Sequence, residues 1–427
     1  MPAFLTHWHV LIETARRSQD AGSDLGSLVI YAGALRRRLQ GLASPPQTTP
    51  AGAVWETGPL PEIDFRFPGS DISAMAYLGA LAPDMTNFYG NNWRDMVADR
   101  GLRGQHIPAP YTSSGVRPLV PARGTTTCVC WADLLHTKHT GDMLLAFLEF
   151  IADVPSPALR SQALAFAMGY LSHIATDIAL NPCINALAAA YDRSEVMGVF
   201  NPLGMHFYVE LCLDEYIASV YFNRPLYAWT NQPWWLYIEP GARSISNETT
   251  LSARILDLLT AAAEVTYGLS EEQSKAFHAN NLAGLKRLRL YLAGRGMFRF
   301  LIWRMLTRRR QGDPITAAIV SDVREADTVT FEEVLEYAIR LSELLCRRAI
   351  SYYAALRNTS AGANERSQRR ALLCDDLRNW HLDTGHALDV TFDEDVTLHV
   401  LHNWAHFADL WGPDAETVRQ PHVSLNP

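Results

Sequence analysis

The chain is poor in charge. Only 19% of its 427 residues are Asp, Glu, Lys or Arg, and the formal net charge is −8. A mildly acidic balance offers phosphate polyanions no attracting field, which argues against a general nucleic-acid or anionic-membrane binder. Long apolar runs are missing too. No segment approaches the roughly 18 uninterrupted apolar residues that a spanning helix needs. The start, Met1-Pro2-Ala3-Phe4-Leu5 followed by Thr6, His7 and His9, has neither the basic nor the apolar region of a secretion signal, so a cytoplasmic location is expected. Six cysteines are few for this length and are expected to be free thiols. Cys128 and Cys130 form a C-x-C pair with no second pair nearby to complete a metal site. Strand-type alternation is scarce, and no internal repeat is visible.

What remains is helical periodicity, which predicts an all-α protein. Helices are expected at 6–19, 27–42, 73–81, 140–152, 161–180 and 207–221, then near 250–268, 271–293, 297–310, 331–357, 366–379 and 394–410. Stretches rich in Pro and Gly at about 43–70 and 100–127 read as loops, and loops of that length are commonly functional or disordered. An aromatic loop at 222–245, carrying Tyr227, Trp229, Trp234, Trp235 and Tyr237, marks a boundary between residues 1–225 and a helical region of unknown role at 246–427.

The chemistry concentrates in the first half. His173 and Asp177, in G-Y-L-S-H-I-A-T-D, lie four residues apart and therefore on one helical face. An imidazole and a carboxylate one turn apart can share a cation such as zinc. In an otherwise apolar helix, a metal would offset the cost of burying the carboxylate. An ordinary His–Asp hydrogen bond between helices fits the same spacing. The spacing recurs at His206 and Glu210, and the acidic face extends to Asp214 and Glu215. Three further segments carry similar residues. Leu78-Gly79-Ala80-Leu81-Ala82-Pro83-Asp84 is a helix stopped by proline with an acid just beyond. His136-Thr137-Lys138-His139-Thr140-Gly141-Asp142 stands at the head of a helix. His7-Trp8-His9 opens the chain. Singly each has a bland reading as a cap or an exposed loop residue.

Taken in order over about residues 3–220, these five elements resemble the zinc-dependent phospholipase C family. The resemblance implies an all-α domain that holds clustered zinc, one to three ions, and hydrolyses a phosphoester with metal-activated water. It implies Asp84, His139, His173 and Asp177 as one ligand set, with Asp84 also a candidate general base. His206 and Glu210 would contribute to a second site, and His7, with Asp177 bridging, to a third. His136 and His9 are the alternates for His139 and His7. Two departures stand out. Where the family pattern H-x-x-x-D-x-x-x-H-P has its last histidine, this chain has Asn181 before Pro182, a poor zinc ligand beside imidazole. Cys183 is a conceivable replacement. Secreted members also use a processed N-terminal residue as a ligand, for which His7 with His9, or the Pro2 amine, would have to substitute.

The implied substrate is a phosphoester, with phospholipid suggested by the family name. The same fold also serves single-strand nucleases, so nucleotides or nucleic acid enter as alternative substrates. A helical scaffold that kept the fold and lost part of the cluster is the non-enzymatic alternative, favoured by Asn181. Trp8, Phe88, Tyr89, Trp93 and Tyr111 are candidate substrate contacts, with plain packing as their other reading. In the C-terminal half, His399, His402 and His406 share a helical face, and Trp303–Arg310 is a basic helix end. Each has an ordinary structural reading beside the functional one.

Overall fold

The structure is a computed structural model, and it describes residues 4–20, 70–88, 130–192, 209–210, 212–217, 220–221, 251–292, 331–382 and 386–387. Nine α-helices are assigned there, with a short 3-10 helix at Met85–Phe88: α1 (Phe4–Asp20), α2 (Ser70–Gly79), α3 (Cys130–Thr137), α4 (Thr140–Asp153), α5 (Pro157–Asp192), α6 (Leu251–Tyr267), α7 (Glu271–Leu292), α8 (Phe331–Arg357) and α9 (Ala363–Leu377). Residues around Glu210–Ile217 are helical as well. The strand content among the described residues is one antiparallel pair of two-residue strands, β1 (Trp380–His381) and β2 (His386–Ala387). The protein is all-α, as its periodicity predicts. The expected helices at 27–42, 297–310 and 394–410, the loops at 43–69 and 100–127, and the histidines at 399–406 lie outside the described residues.

α5 is the axis of the fold. It opens on Pro157, whose missing N–H costs nothing at a first helical position. Apolar residues face every side of it, so it is covered all round by α1, α2, α4 and α8. Leu159–Asn181 within it is long and apolar enough to cross a membrane by length and composition, yet it is buried inside the protein. The helix also outruns its predicted end at residue 180. Pro182 withholds the N–H that would reach the Ile178 carbonyl, but the helix continues past it to Asp192.

α2 crosses α5 at two glycines. A Cβ added at Gly169 would lie 1.9 Å from the Ala76 carbonyl oxygen, and one added at Gly79 would lie 2.0 Å from that of Phe166. The helices therefore meet backbone to backbone, a separation that any side chain at either position would prevent. This is the physical content of the two glycines in L-G-A-L-A-P-D and G-Y-L-S-H.

The C-terminal helices share this core. α8 has a buried stripe through Val334, Leu335, Ala338, Leu341, Leu345, Ala349 and Tyr352, the three-and-four spacing of a helix packed on one side. It lies against α5 and α1, while α6 packs on α4 and α7, and α9 on α8. Glu332 and Glu333 in the first turn of α8 and Arg357 in its last complement the helix dipole.

α1 and α8 are also joined by a charged clasp. Arg17 donates from both terminal nitrogens to Glu336, at 2.8 and 2.5 Å, and Arg340 Nε donates to the same carboxylate at 2.7 Å. Burial alone would raise the Glu336 carboxyl, but the bonds from Arg17 and Arg340 outweigh it and hold it below its ordinary value. A depressed carboxyl stabilises the fold above its unfolded pKa of about 4.3. That stability is lost as pH falls through the lower folded value. Glu336→Gln is expected to cost about 1 kcal/mol at neutral pH. The gap between variant and wild type should close in the acid range, read from thermal midpoints against pH. A gap that stays constant with pH would contradict this assignment.

Candidate metal centre

The turn after α2, α3, α5 and α1 each send one or two polar side chains to the same buried point. After α2 the chain turns tightly, with Leu81 and Ala82 N–H groups bonded back to Leu78 and Gly79. Pro83 ends any helical continuation, and Asp84 emerges beside α5. From α5 come His173 and Asp177, one turn apart on one face, as their spacing requires. The last turn of α3 carries His136, and α1 carries His7.

The imidazole orientations are fixed by the backbone. His173 Nδ1 lies 2.9 Å from the Ala80 carbonyl oxygen, which the close glycine crossing brings within reach. His136 Nδ1 lies 2.7 Å from the Ala132 carbonyl oxygen, one turn earlier in α3. A carbonyl only accepts, so both Nδ1 atoms must carry the proton, and in the neutral rings both Nε2 lone pairs face inward. Those two Nε2 atoms are 3.4 Å apart. Around them, His173 Nε2 is 3.0 Å from Asp177 and 3.8 Å from Asp84. His136 Nε2 is 3.4 Å from Asp84 and 3.5 Å from Asp177. The His7 ring stacks on His173 with centroids 4.2 Å apart, and its Nε2 is 3.4 Å from Asp177. Facing lone pairs between two buried carboxylates repel one another unless a positive charge sits among them.

Two overlapping groups of potential ligand atoms result, His7–His173–Asp177 and Asp84–His136–His173, each within 4.8 Å and wholly buried. His173 belongs to both. Burial, helped by the field of His173, pushes the His7 imidazole well below its ordinary pKa, which keeps it neutral. Burial would raise the Asp84 carboxyl, but the His136 bond and the fields of His136 and His173 hold it well down. Burial opposes charge on His173, yet Asp177 and Asp84 outweigh it and raise the imidazole. Burial raises Asp177 against the pull of His173. The two groups lie 3.0 Å apart, so a metal ion bound there would compete with any proton between them.

Other predicted residues fall elsewhere. His139 is not brought to the cluster. It sits in the link between α3 and α4 with φ 50°, its side chain is 54% exposed, and its ring is 3.0 Å from Asp142. Glu210 is buried but belongs to neither group, and His206 lies outside the described residues. His9 is buried against Tyr221 and is in neither group. Trp8 is a core residue, its indole N–H donating to the Tyr77 carbonyl and its ring edge-on to Phe4. The Phe88 and Cys183 side chains, and Tyr89, Trp93 and Tyr111, lie outside the described residues. By sequence Asp214 extends the acidic face of Glu210. In the structure it caps α1, accepting from the Leu5 and Thr6 N–H groups at 3.2 and 2.9 Å and from the Thr6 hydroxyl at 2.9 Å. It thereby anchors the first turn of the helix that carries His7.

Residues 60–239 match the zinc dependent phospholipase C family. The match spans less than half of the chain. It includes Asp84, His136, His173 and Asp177, and leaves out His7 and the whole C-terminal helical region. No curated protein and no solved structure matches the chain. Zinc takes imidazole nitrogen and carboxylate oxygen, the donor types that converge here. The inward Nε2 atoms of His136 and His173 fit such a donor set, and the His7 Nδ1 is buried without a partner among the described residues. A metal-bound histidine usually donates its other ring N–H to a carbonyl or carboxylate, as the two Nδ1 atoms are placed to do here.

Proposed function

We propose that this chain is a zinc-dependent phosphoester hydrolase acting on phospholipid, with its centre built from Asp84, His136, His173, Asp177 and His7. The observation that carries this reading is the pair of Nε2 atoms held 3.4 Å apart beside two buried carboxylates. When bound, zinc supplies Lewis-acid activation of a phosphoester and of water. His173 and Asp177 form the deep wall, with no exposure at the imidazole. Asp84 and His136 are slightly less deeply buried, each side chain 9% exposed. Burial would raise the Asp84 carboxyl, but the His136 bond and the fields of His136 and His173 hold it down, which suits it to hold a cation. Its role is therefore ligand and substrate positioner ahead of general base. The Ala80 and Ala132 carbonyls hold the two rings in the tautomer that presents Nε2.

The test is a substrate panel on zinc-loaded protein, phosphatidylcholine in mixed micelles against a single-stranded oligonucleotide. Release of phosphocholine, abolished by chelator, is expected. Cleavage of the oligonucleotide alone would move the protein to the nuclease side of the fold. Hydrolysis of neither would contradict a phosphoesterase acting on either class.

A further inference from the structure

The residue that departs from the family pattern, Asn181, is bonded to a part of the chain outside the matched stretch. Its side-chain amide donates to the Leu382 carbonyl at 3.2 Å. The Leu382 N–H in turn donates to the His136 carbonyl at 2.6 Å. His136 lies in the last turn of α3, where a helix leaves carbonyls without partners, so Leu382 satisfies the carbonyl of the residue whose ring enters the centre. The same segment grips the next helix. Asn379 Oδ1 accepts from the Gly141 and Asp142 N–H groups, both at 3.1 Å, and so caps α4 from outside. The Asn379 amide donates to Asp142, and the Thr140 hydroxyl donates to the Trp380 carbonyl at 2.8 Å. Trp380 and Leu382 are buried, and a Cβ added at Gly141 would lie 1.9 Å from the Arg378 carbonyl oxygen. The segment thus straps both sides of the short α3–α4 link, and Asn181 ties it to the helix that carries His173 and Asp177.

We propose that the strap Asn379–Leu382 is a positioning element for His136, and that Asn181 serves the centre by holding this strap, as a positioning residue and not as a metal ligand. The inference rests on the proposed function only in taking His136 as part of the centre. A C-terminal segment therefore does structural duty beside the position where the family pattern has a histidine, which gives the C-terminal helices a reason to pack on this end of the fold.

The test uses the full chain with isotope-labelled histidine, first without metal. The buried Nδ1 protons of His136 and His173, bonded to carbonyls, should each give a protected imidazole N–H resonance, assigned by its loss in His136→Ala and His173→Ala. Asn181→Leu removes the donor at similar size. It should broaden or abolish the His136 resonance and leave that of His173 in place. Asn181→Gln, which keeps an amide donor, should restore it. Asn379→Ala, loosening the strap at its other end, should act like Asn181→Leu. Zinc titration of the same proteins should show affinity about tenfold lower in Asn181→Leu and Asn379→Ala, the range of outer-shell changes. A His136 resonance unchanged in both variants would overturn the proposal, as would loss of both resonances together, which would mark Asn181 as a support of α5 alone. Zinc-loaded wild type with the Asn181 side chain in the coordination sphere would overturn it too. Wild type that shows the selective His136 effect but binds no zinc would support the strap and contradict the proposed function.

Discussion

His173→Ala is expected to leave the protein without stably bound zinc and without zinc-dependent hydrolysis. The residue contributes to both candidate ligand groups, so no alternative set of described residues survives its loss. Outer-shell changes alone weaken metal sites 10–100-fold, so loss of a shared ligand should exceed about 100-fold. The fold should also suffer in metal-free protein, because Asp177 keeps its burial and loses its nearest partner. Removing one member of a buried ionic pair costs about 3–5 kcal/mol, since a charge is left uncompensated. Asp177→Asn in the same background should recover part of that stability without recovering zinc. Elemental analysis and denaturant midpoints of the single and double variants measure both effects. A His173→Ala protein that retains zinc at wild-type affinity would show that the metal, if any, is held elsewhere.

Gly169→Ala is expected to be among the most damaging single methyl groups in the described part of the protein. The new Cβ would meet the Ala76 carbonyl oxygen at 1.9 Å and the Ala80 amide nitrogen at 2.6 Å. Both are backbone atoms that cannot rotate away, so α2 and α5 must separate. Overpacking of this kind commonly costs 1–3 kcal/mol, and a clash against backbone belongs at about 3 kcal/mol or beyond. The effect should reach the centre, because the same crossing places the Ala80 carbonyl on His173 Nδ1. Stability and zinc affinity are therefore predicted to fall together. An ordinary core alanine such as Ala163→Gly should lower stability modestly and spare zinc binding. A change below about 0.5 kcal/mol in Gly169→Ala, within the range of surface substitutions, would show that the helices do not meet so closely.

The contrast between His136 and His139 shows what sequence could and could not reveal. Periodicity placed His173 and Asp177 on one face of an apolar helix, and proline placed Asp84 just past a helix end, because these depend on neighbours within a few residues. The choice between two histidines three residues apart depends on α3, an eight-residue helix too short for its period to stand out from the loop before it. Trp131, Leu134 and Leu135 are its local signal, an apolar face leading into His136. At His139 the backbone enters the left-handed region, and its side chain turns to solvent and Asp142. The strap was illegible for a different reason. Its bonds join residues about two hundred or more positions apart, and nothing in the local pattern of Asn379–Leu382 points to α3, α4 or Asn181. Asn181 therefore read only as a missing ligand. In sequence Asp214 is one more acid on a helical face, although its partners are the amides of Leu5 and Thr6 about two hundred residues earlier.

The central claim is that the imidazoles and carboxylates around His173 hold zinc. The most direct measurement is zinc per chain by elemental analysis, on protein purified without chelator or affinity tag. At least one equivalent is predicted, lost in His173→Ala and retained in His139→Ala. No zinc in folded wild-type protein, before or after incubation with the metal, would contradict it.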